Sequence, residues 1–200
     1  MNLPNAVTLS RIFLVPVLVA LLLTKYSVPI AAAVFLAASM TDFLDGYLAR
    51  SRDQVTTLGM LLDPVADKLL ISSAFISLVQ LQIVPAWMVV VIIGREFAVT
   101  GLRSIAASQG FAIEASELGK LKMGAQVAAI TMLIIGSEYP FFFNVAGRVA
   151  LWMVVLFAIW SAVEYFRTFW SKIDSSFKAQ QERRRDVLIK KSQGRHAPTQ

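Results

Sequence analysis

The chain contains no cysteine and only one histidine. The first absence excludes a disulfide framework and any thiolate metal centre. The histidine, His196, lies in a polar stretch and is a poor candidate for catalysis. Charge is scarce as well. Asp, Glu, Lys and Arg make up 16% of the residues, against about 25% in a soluble domain, while 56% are hydrophobic. The mean hydropathy is positive, which points to a membrane protein before any motif is read. A length of 200 residues suits one domain.

The net charge of +6 is unevenly placed. Residues 171–200 hold eight Lys or Arg against three Asp or Glu, so this tail carries +5 and the rest only +1. Arg183-Arg184-Arg185 and Lys190-Lys191 can meet nucleic acid. Beside a membrane core they more simply meet anionic lipid, or serve as a solvated tail that fixes topology, and no nucleic-acid partner is expected. Residues 12–24 resemble the apolar core of a signal peptide, but no basic region precedes Arg11 and later segments are equally apolar.

Six apolar segments stand out, at about 7–24, 27–49, 59–82, 84–106, 120–137 and 146–168. The sequence predicts an all-α integral membrane protein of six transmembrane helices over 1–170, followed by a basic tail over 171–200. A spanning helix needs roughly 20 predominantly apolar residues, and the uninterrupted apolar stretches are shorter. Each segment is completed by a charged part. Segment 1 begins with Arg11, and segment 2 ends with Asp42, Asp45 and Arg50. Segment 3 begins with Asp63, Asp67 and Lys68, and segment 4 ends with Arg95, Glu96 and Arg103. Segment 5 begins with Lys120 and Lys122, and segment 6 ends with Glu164 and Arg167.

Successive spans run in opposite directions, so all six charged ends fall on one side. Charge at membrane depth is costly unless it faces protein or a watery cavity. The pattern predicts a polar cavity open to one leaflet and closed by an apolar layer at the other. Arg50, Arg52, Arg103, Lys120, Lys122 and the basic tail share the charged side. The positive-inside rule then puts the cavity and both termini in the cytoplasm of a multi-pass cell-membrane protein. The other side has Lys25 and, near the start of segment 6, Arg148, which is an exception to this distribution.

One spacing within the predicted cavity is distinctive. It reads Asp42-x-x-Asp45-Gly46-x-x-Ala49-Arg50, then eight residues, then Gly59-x-x-x-Asp63-x-x-x-Asp67. The i, i+3 and i, i+4 spacings put each aspartate pair on one helix face. The short link at 51–58 lets the two helices pack antiparallel with the pairs at similar depth. Four carboxylates that close cannot all stay ionised without cations. Hard divalent ions, Mg2+ or Mn2+, suit oxygen ligands, and two such ions suit phosphoryl chemistry on a diphosphate. The alternative is an ion-pair network with Arg50, Lys68 or Arg95, but the carboxylates outnumber their nearest matched partners. Gly46 and Gly59 cost about 1 kcal/mol each in a helix relative to Ala. They admit a ligand, or they merely pack helices together.

At these residues the chain resembles the CDP-alcohol phosphotransferase family. Residues 42–67 match the family signature D-x2-D-G-x2-A-R-x8-G-x3-D-x3-D at all eight fixed positions. The resemblance implies six transmembrane helices, a homodimer, and two metal ions on the cytosolic side. It also implies a CDP-linked lipid whose phosphatidyl group passes to an alcohol, releasing CMP. By position, Asp42, Asp45, Asp63 and Asp67 resemble the metal ligands, and Asp67 the general base. Gly46, Ala49, Arg50 and Gly59 resemble the CDP-binding positions.

Three further blocks resemble the bacterial branch of that family whose acceptor is sn-glycerol 3-phosphate and whose donor is CDP-diacylglycerol. They are Asn2-Leu3-Pro4-Asn5 with Thr8 and Arg11, the run from Gly94 to Arg103, and Gly119-Lys120-Leu121-Lys122 with Gln126. A phosphate-bearing acceptor needs cations of its own, and Arg103, Lys120 and Lys122 are candidates to clamp it. Their other use is topology and snorkelling to the interface. Arg95 lies deeper and is a candidate partner for Glu96 or a neighbouring helix. Other readings are the same chemistry on inositol phosphate, serine or phosphatidylglycerol, or a divalent-cation transporter. The apolar outer halves argue against transport. A non-catalytic membrane anchor leaves the aspartate spacing unexplained.

Overall fold

A computed structural model describes the backbone of residues 3–24, 27–51, 57–108, 118–139 and 142–194. Side chains are described for 9–24, 27–41, 65–108, 122–139 and 142–173. The described residues form six α-helices and no strands: α1 Leu3–Thr24, α2 Val28–Ser51, α3 Thr57–Gln80, α4 Ala86–Ser108, α5 Leu118–Gly136 and α6 Phe142–Gly194. The expected all-α class holds. The predicted segments agree with these bounds to within four residues, except at the end of the sixth. There the helix runs on through residues 171–194, so no break in secondary structure separates the basic tail from the sixth segment. Between Gly147 and Gly194 the chain has neither Gly nor Pro, and Lys, Arg, Glu, Gln and Ala continue the helix readily.

Helix α1 packs on α3 and α2, α5 packs on α6 and α2, and α4 lies against α6 and α3. Each helix gives the same half of its length to the core. Leu18 and Leu22 come from the end of α1, Phe35 from the start of α2, and Phe75 and Leu78 from the end of α3. Ile92 comes from the first half of α4, Ile130 and Leu133 from the second half of α5, and Val154 from the beginning of α6. This apolar end is closed by two turns. At the first, α3 ends in a Schellman motif. Gln82 N–H donates to Val79 O at 2.9 Å and Ile83 N–H to Leu78 O at 3.0 Å. The motif needs a left-handed residue just past the helix, and Gln82 takes it at φ 62°.

At the second turn two glycines set the spacing of α5 and α6. A Cβ on Gly136 would lie 2.8 Å from the backbone nitrogen of Asn144, and one on Gly147 3.0 Å from Leu133 Cγ. Gly136 therefore requires the absence of a side chain, and at Gly147 a Cβ would make Leu133 give way, as at close helix–helix crossings.

Among the described residues, one helix is long and apolar enough to cross a membrane, α6 over Phe142–Ile173. The apolar stretches Leu9–Thr24, Val28–Thr41 and Lys122–Gly136 are shorter. Large apolar side chains face outward around the bundle, among them Phe13, Ile76, Val90, Phe97, Leu156, Trp160 and Phe166.

Candidate active site

The signature residues fall on the last three turns of α2 and the first half of α3. The side chains of Asp42, Asp45, Gly46, Ala49, Arg50, Gly59 and Asp63 lie outside the described residues, as does that of Lys120. Asp67 is described. It is partly buried, one residue after the fully buried Ala66 and before Lys68.

Around this level of the bundle the described polar side chains are bonded to one another across helices. Lys68 Nζ on α3 donates to Thr100 Oγ1 on α4. Thr100 Oγ1 in turn donates to Glu96 O one turn back, at 2.7 Å. Glu96 accepts from Lys122 Nζ on α5 through Oε1, and the same oxygen lies 3.2 Å from Arg95 Nη1. Arg95 Nη2 donates to Ser161 Oγ on α6. Two turns along α4, Arg103 Nε donates to Tyr165 OH at 2.8 Å, and its guanidinium carbon stands 5.4 Å from the centre of that ring. Helix α4 is thus tied to α3, α5 and α6 at one end of the bundle, opposite the apolar core.

Burial explains the pairing. Lys122 is 7% exposed, and an ammonium at that depth is tolerated only with a counter-charge. Arg11 on α1 and Gln126, one turn past Lys122, are also buried. Among the described residues, Arg95 Nε and Gln126 Nε2 are buried without a hydrogen-bond partner. Donors left open in this way suit a polar or anionic guest.

The expected pairing of Arg95 with Glu96 and a neighbouring helix is present. Of the three candidate acceptor cations, Arg103 is exposed and donates to Tyr165 through Nε. Lys122 is held by Glu96. Ser161 and Tyr165 were not among the sequence candidates. Their signal was available: a hydroxyl and a phenol four residues apart on one helix face, near the charged end of the segment.

A hard divalent ion suits the donor set, which is carboxylate oxygen without thiolate or imidazole. The backbone brings the four aspartate positions onto two consecutive helices that pack together.

The chain belongs to the CDP-alcohol phosphatidyltransferase family, whose family model matches residues 1–160. Divalent-metal dependence is general in this family. Among its relatives is a Bacillus subtilis protein named CDP-diacylglycerol–glycerol-3-phosphate 3-phosphatidyltransferase. It is 43% identical over 195 residues, covering 88% of this chain and 98% of the relative. Proteins of the same name from Rickettsia typhi and Pseudomonas fluorescens are 36% and 33% identical. They cover 83% and 97% of this chain, and 96% and 100% of their own lengths. The family favours the transferase over the cation-transporter alternative.

Proposed function

We propose that the chain transfers the phosphatidyl group of CDP-diacylglycerol to sn-glycerol 3-phosphate, giving phosphatidylglycerophosphate and CMP in phospholipid biosynthesis. One observation carries this reading. The complete eight-position signature lies in a chain that aligns almost end to end with relatives bearing that activity as their name.

Asp42, Asp45, Asp63 and Asp67 would hold two divalent ions, Mg2+ or Mn2+, in this reading. When bound, such ions neutralise a diphosphate and the charge that grows on the leaving oxygen. The chain's own residues do the rest. Gly46, Ala49 and Gly59 leave room for the cytidine nucleotide, and Arg50 pairs with phosphate. Asp67 takes the proton from the acceptor hydroxyl as its oxygen attacks the lipid-side phosphorus. The new P–O bond forms as the bond to CMP breaks.

Arg103, Lys120 and Lys122 hold the acceptor's phosphate. Arg103 supports this role because its bond to Tyr165 uses Nε and does not consume the terminal nitrogens. Lys122 reaches the acceptor by sharing itself with Glu96 or exchanging Glu96 for phosphate.

The same reading places six spans in a cell membrane, with the site and both termini cytoplasmic. Helices α1 to α5 contain 19 to 24 residues, about 28–36 Å at 1.5 Å per residue, which fits a hydrocarbon core of about 30 Å. The outward apolar side chains support lipid around the bundle. The homodimer finds support on α4, where Gly94 and Gly101 share a face and a Cβ on either meets nothing within 4 Å.

The test is CMP release by the purified protein with CDP-diacylglycerol and each acceptor in turn. Release is expected with glycerol 3-phosphate, and Asp67→Asn abolishes it while leaving thermal stability near that of the wild type. Release with inositol phosphate and none with glycerol 3-phosphate would reject the acceptor. Wild-type release from Asp67→Asn would reject the base.

A further inference from the structure

A cavity of about 630 Å³ lies at the apolar end of the bundle, where the α3–α4 turn meets α6. Its walls include Gln82, Trp87, Arg148 and Trp152. It is not the site described above. Helix α3 ends at Gln80, thirteen residues beyond Asp67, roughly 20 Å along the helix axis.

Arg148 sits in the second turn of α6, within the stretch Phe142–Ile173 that is apolar enough to cross a membrane. It is exposed, and among the described residues no hydrogen bond or ion pair engages it. With Lys25 it departs from the placement of the other basic groups. A guanidinium in such a helix is costly unless it finds an anion or reaches the interface.

Two tryptophans stand beside it. The rings of Trp87 and Trp152 meet edge to face, with centroids 5.7 Å apart at 61°, and each side chain is about half exposed. Paired indoles of this kind favour the boundary between headgroups and acyl chains. From them an exposed apolar strip continues toward the middle of the bundle, with Val90 one turn past Trp87 and Leu156 one turn past Trp152. Gln82, held in the left-handed turn, adds an amide to the same wall.

We propose that this cavity binds the headgroup phosphate of an anionic phospholipid. Arg148 pairs with the phosphate, and the acyl chains lie along Val90 and Leu156. The combination of a cation and an adjoining apolar strip selects a lipid over a free anion. Inorganic phosphate can use Arg148 but gains nothing from the strip or the indoles. A zwitterionic lipid can use the strip but brings its own cation to the phosphate. The proposal rests on the membrane reading of α6 and is independent of the transferase assignment.

The experiment measures thermal stabilisation of the full-length protein in neutral detergent on titration with phosphatidylglycerol, phosphatidylcholine or inorganic phosphate. Wild type, Arg148→Gln, Arg148→Lys and Asp67→Asn are compared. Phosphatidylglycerol is expected to stabilise the wild type at concentrations where the other two additives do not. Arg148→Gln should need about tenfold more of it, Arg148→Lys an intermediate amount, and Asp67→Asn the wild-type amount. Equal response of wild type and Arg148→Gln would overturn the proposal, as would equal stabilisation by phosphatidylcholine. Saturation by inorganic phosphate at the same concentration would overturn the lipid assignment. CMP release in the same preparations keeps the two readings apart. Arg148→Gln retains it, and a wild type without it would count against the transferase while leaving the lipid titration unaffected.

Discussion

Glu96→Gln keeps the shape of the side chain and removes the charge that Lys122 bonds. The side chain of Lys122 is 7% exposed and that of Glu96 26%. Breaking a fully buried ion pair costs about 3–5 kcal/mol because an uncompensated charge stays behind. Water at the carboxylate offsets part of this, so Glu96→Gln should cost about 2–3 kcal/mol. The reverse change is milder. In Lys122→Met the carboxylate retains Arg95 Nη1 at 3.2 Å, and the loss should be about 1–2 kcal/mol. The double variant should cost less than the sum by about 1–2 kcal/mol, the coupling expected of groups in direct contact. The assay is thermal unfolding of each purified variant in the same detergent, with the Michaelis constant for glycerol 3-phosphate measured in parallel. If Glu96→Gln melts with the wild type, or the two losses add without coupling, the buried pair does not exist as described.

Two further predictions follow from geometry. Gly136→Ala drives a Cβ into the backbone of Asn144 and should cost about 1–3 kcal/mol by overpacking. Gly124→Ala, where a Cβ meets nothing within 4 Å, should gain about 0.5–1 kcal/mol from helix propensity; melting temperatures moving in opposite directions check both. Removing divalent metal with a chelator should abolish CMP release, and Mg2+ or Mn2+ should restore it. Full activity in excess chelator would remove the metal role of the four aspartates.

The helices were largely legible because turn formers and polar groups interrupt the apolar segments near where the helices end. The end of α6 was not, since residues 171–194 are polar and a search for apolar runs passes over them. What continues the helix there is backbone propensity without a breaker, which hydropathy does not register. The placement of the aspartate positions was legible from spacing, because two pairs on consecutive helices form a local pattern and the backbone puts them on α2 and α3. The partners of the cations were less so. Glu96 beside Arg95 is visible in the sequence. The links from Glu96 to Lys122, Arg95 to Ser161 and Arg103 to Tyr165 span 26, 66 and 62 residues, and only the packing of α4 against α6, with Lys122 reaching across from α5, creates them. Gln82 also ran against expectation, since a glycine is the usual occupant of a left-handed cap.

The glycines at 136 and 147 have a mechanical consequence. At Gly136 the backbone of α5 lies against that of Asn144, and at Gly147 α6 lies against Leu133, so both crossings oppose sliding between α5 and α6. They behave as one stiff body, and Glu96, Arg95 and Arg103 fasten α4 to it through Lys122, Ser161 and Tyr165. Arg95, Arg103 and Lys122 are therefore all tied to this pair of helices. Asp67 rides on a different helix, α3, which the bond from Lys68 to Thr100 ties to α4 at this level. The tight α5–α6 crossing at Gly136 therefore leaves any widening of the site to the side where α3 meets this unit.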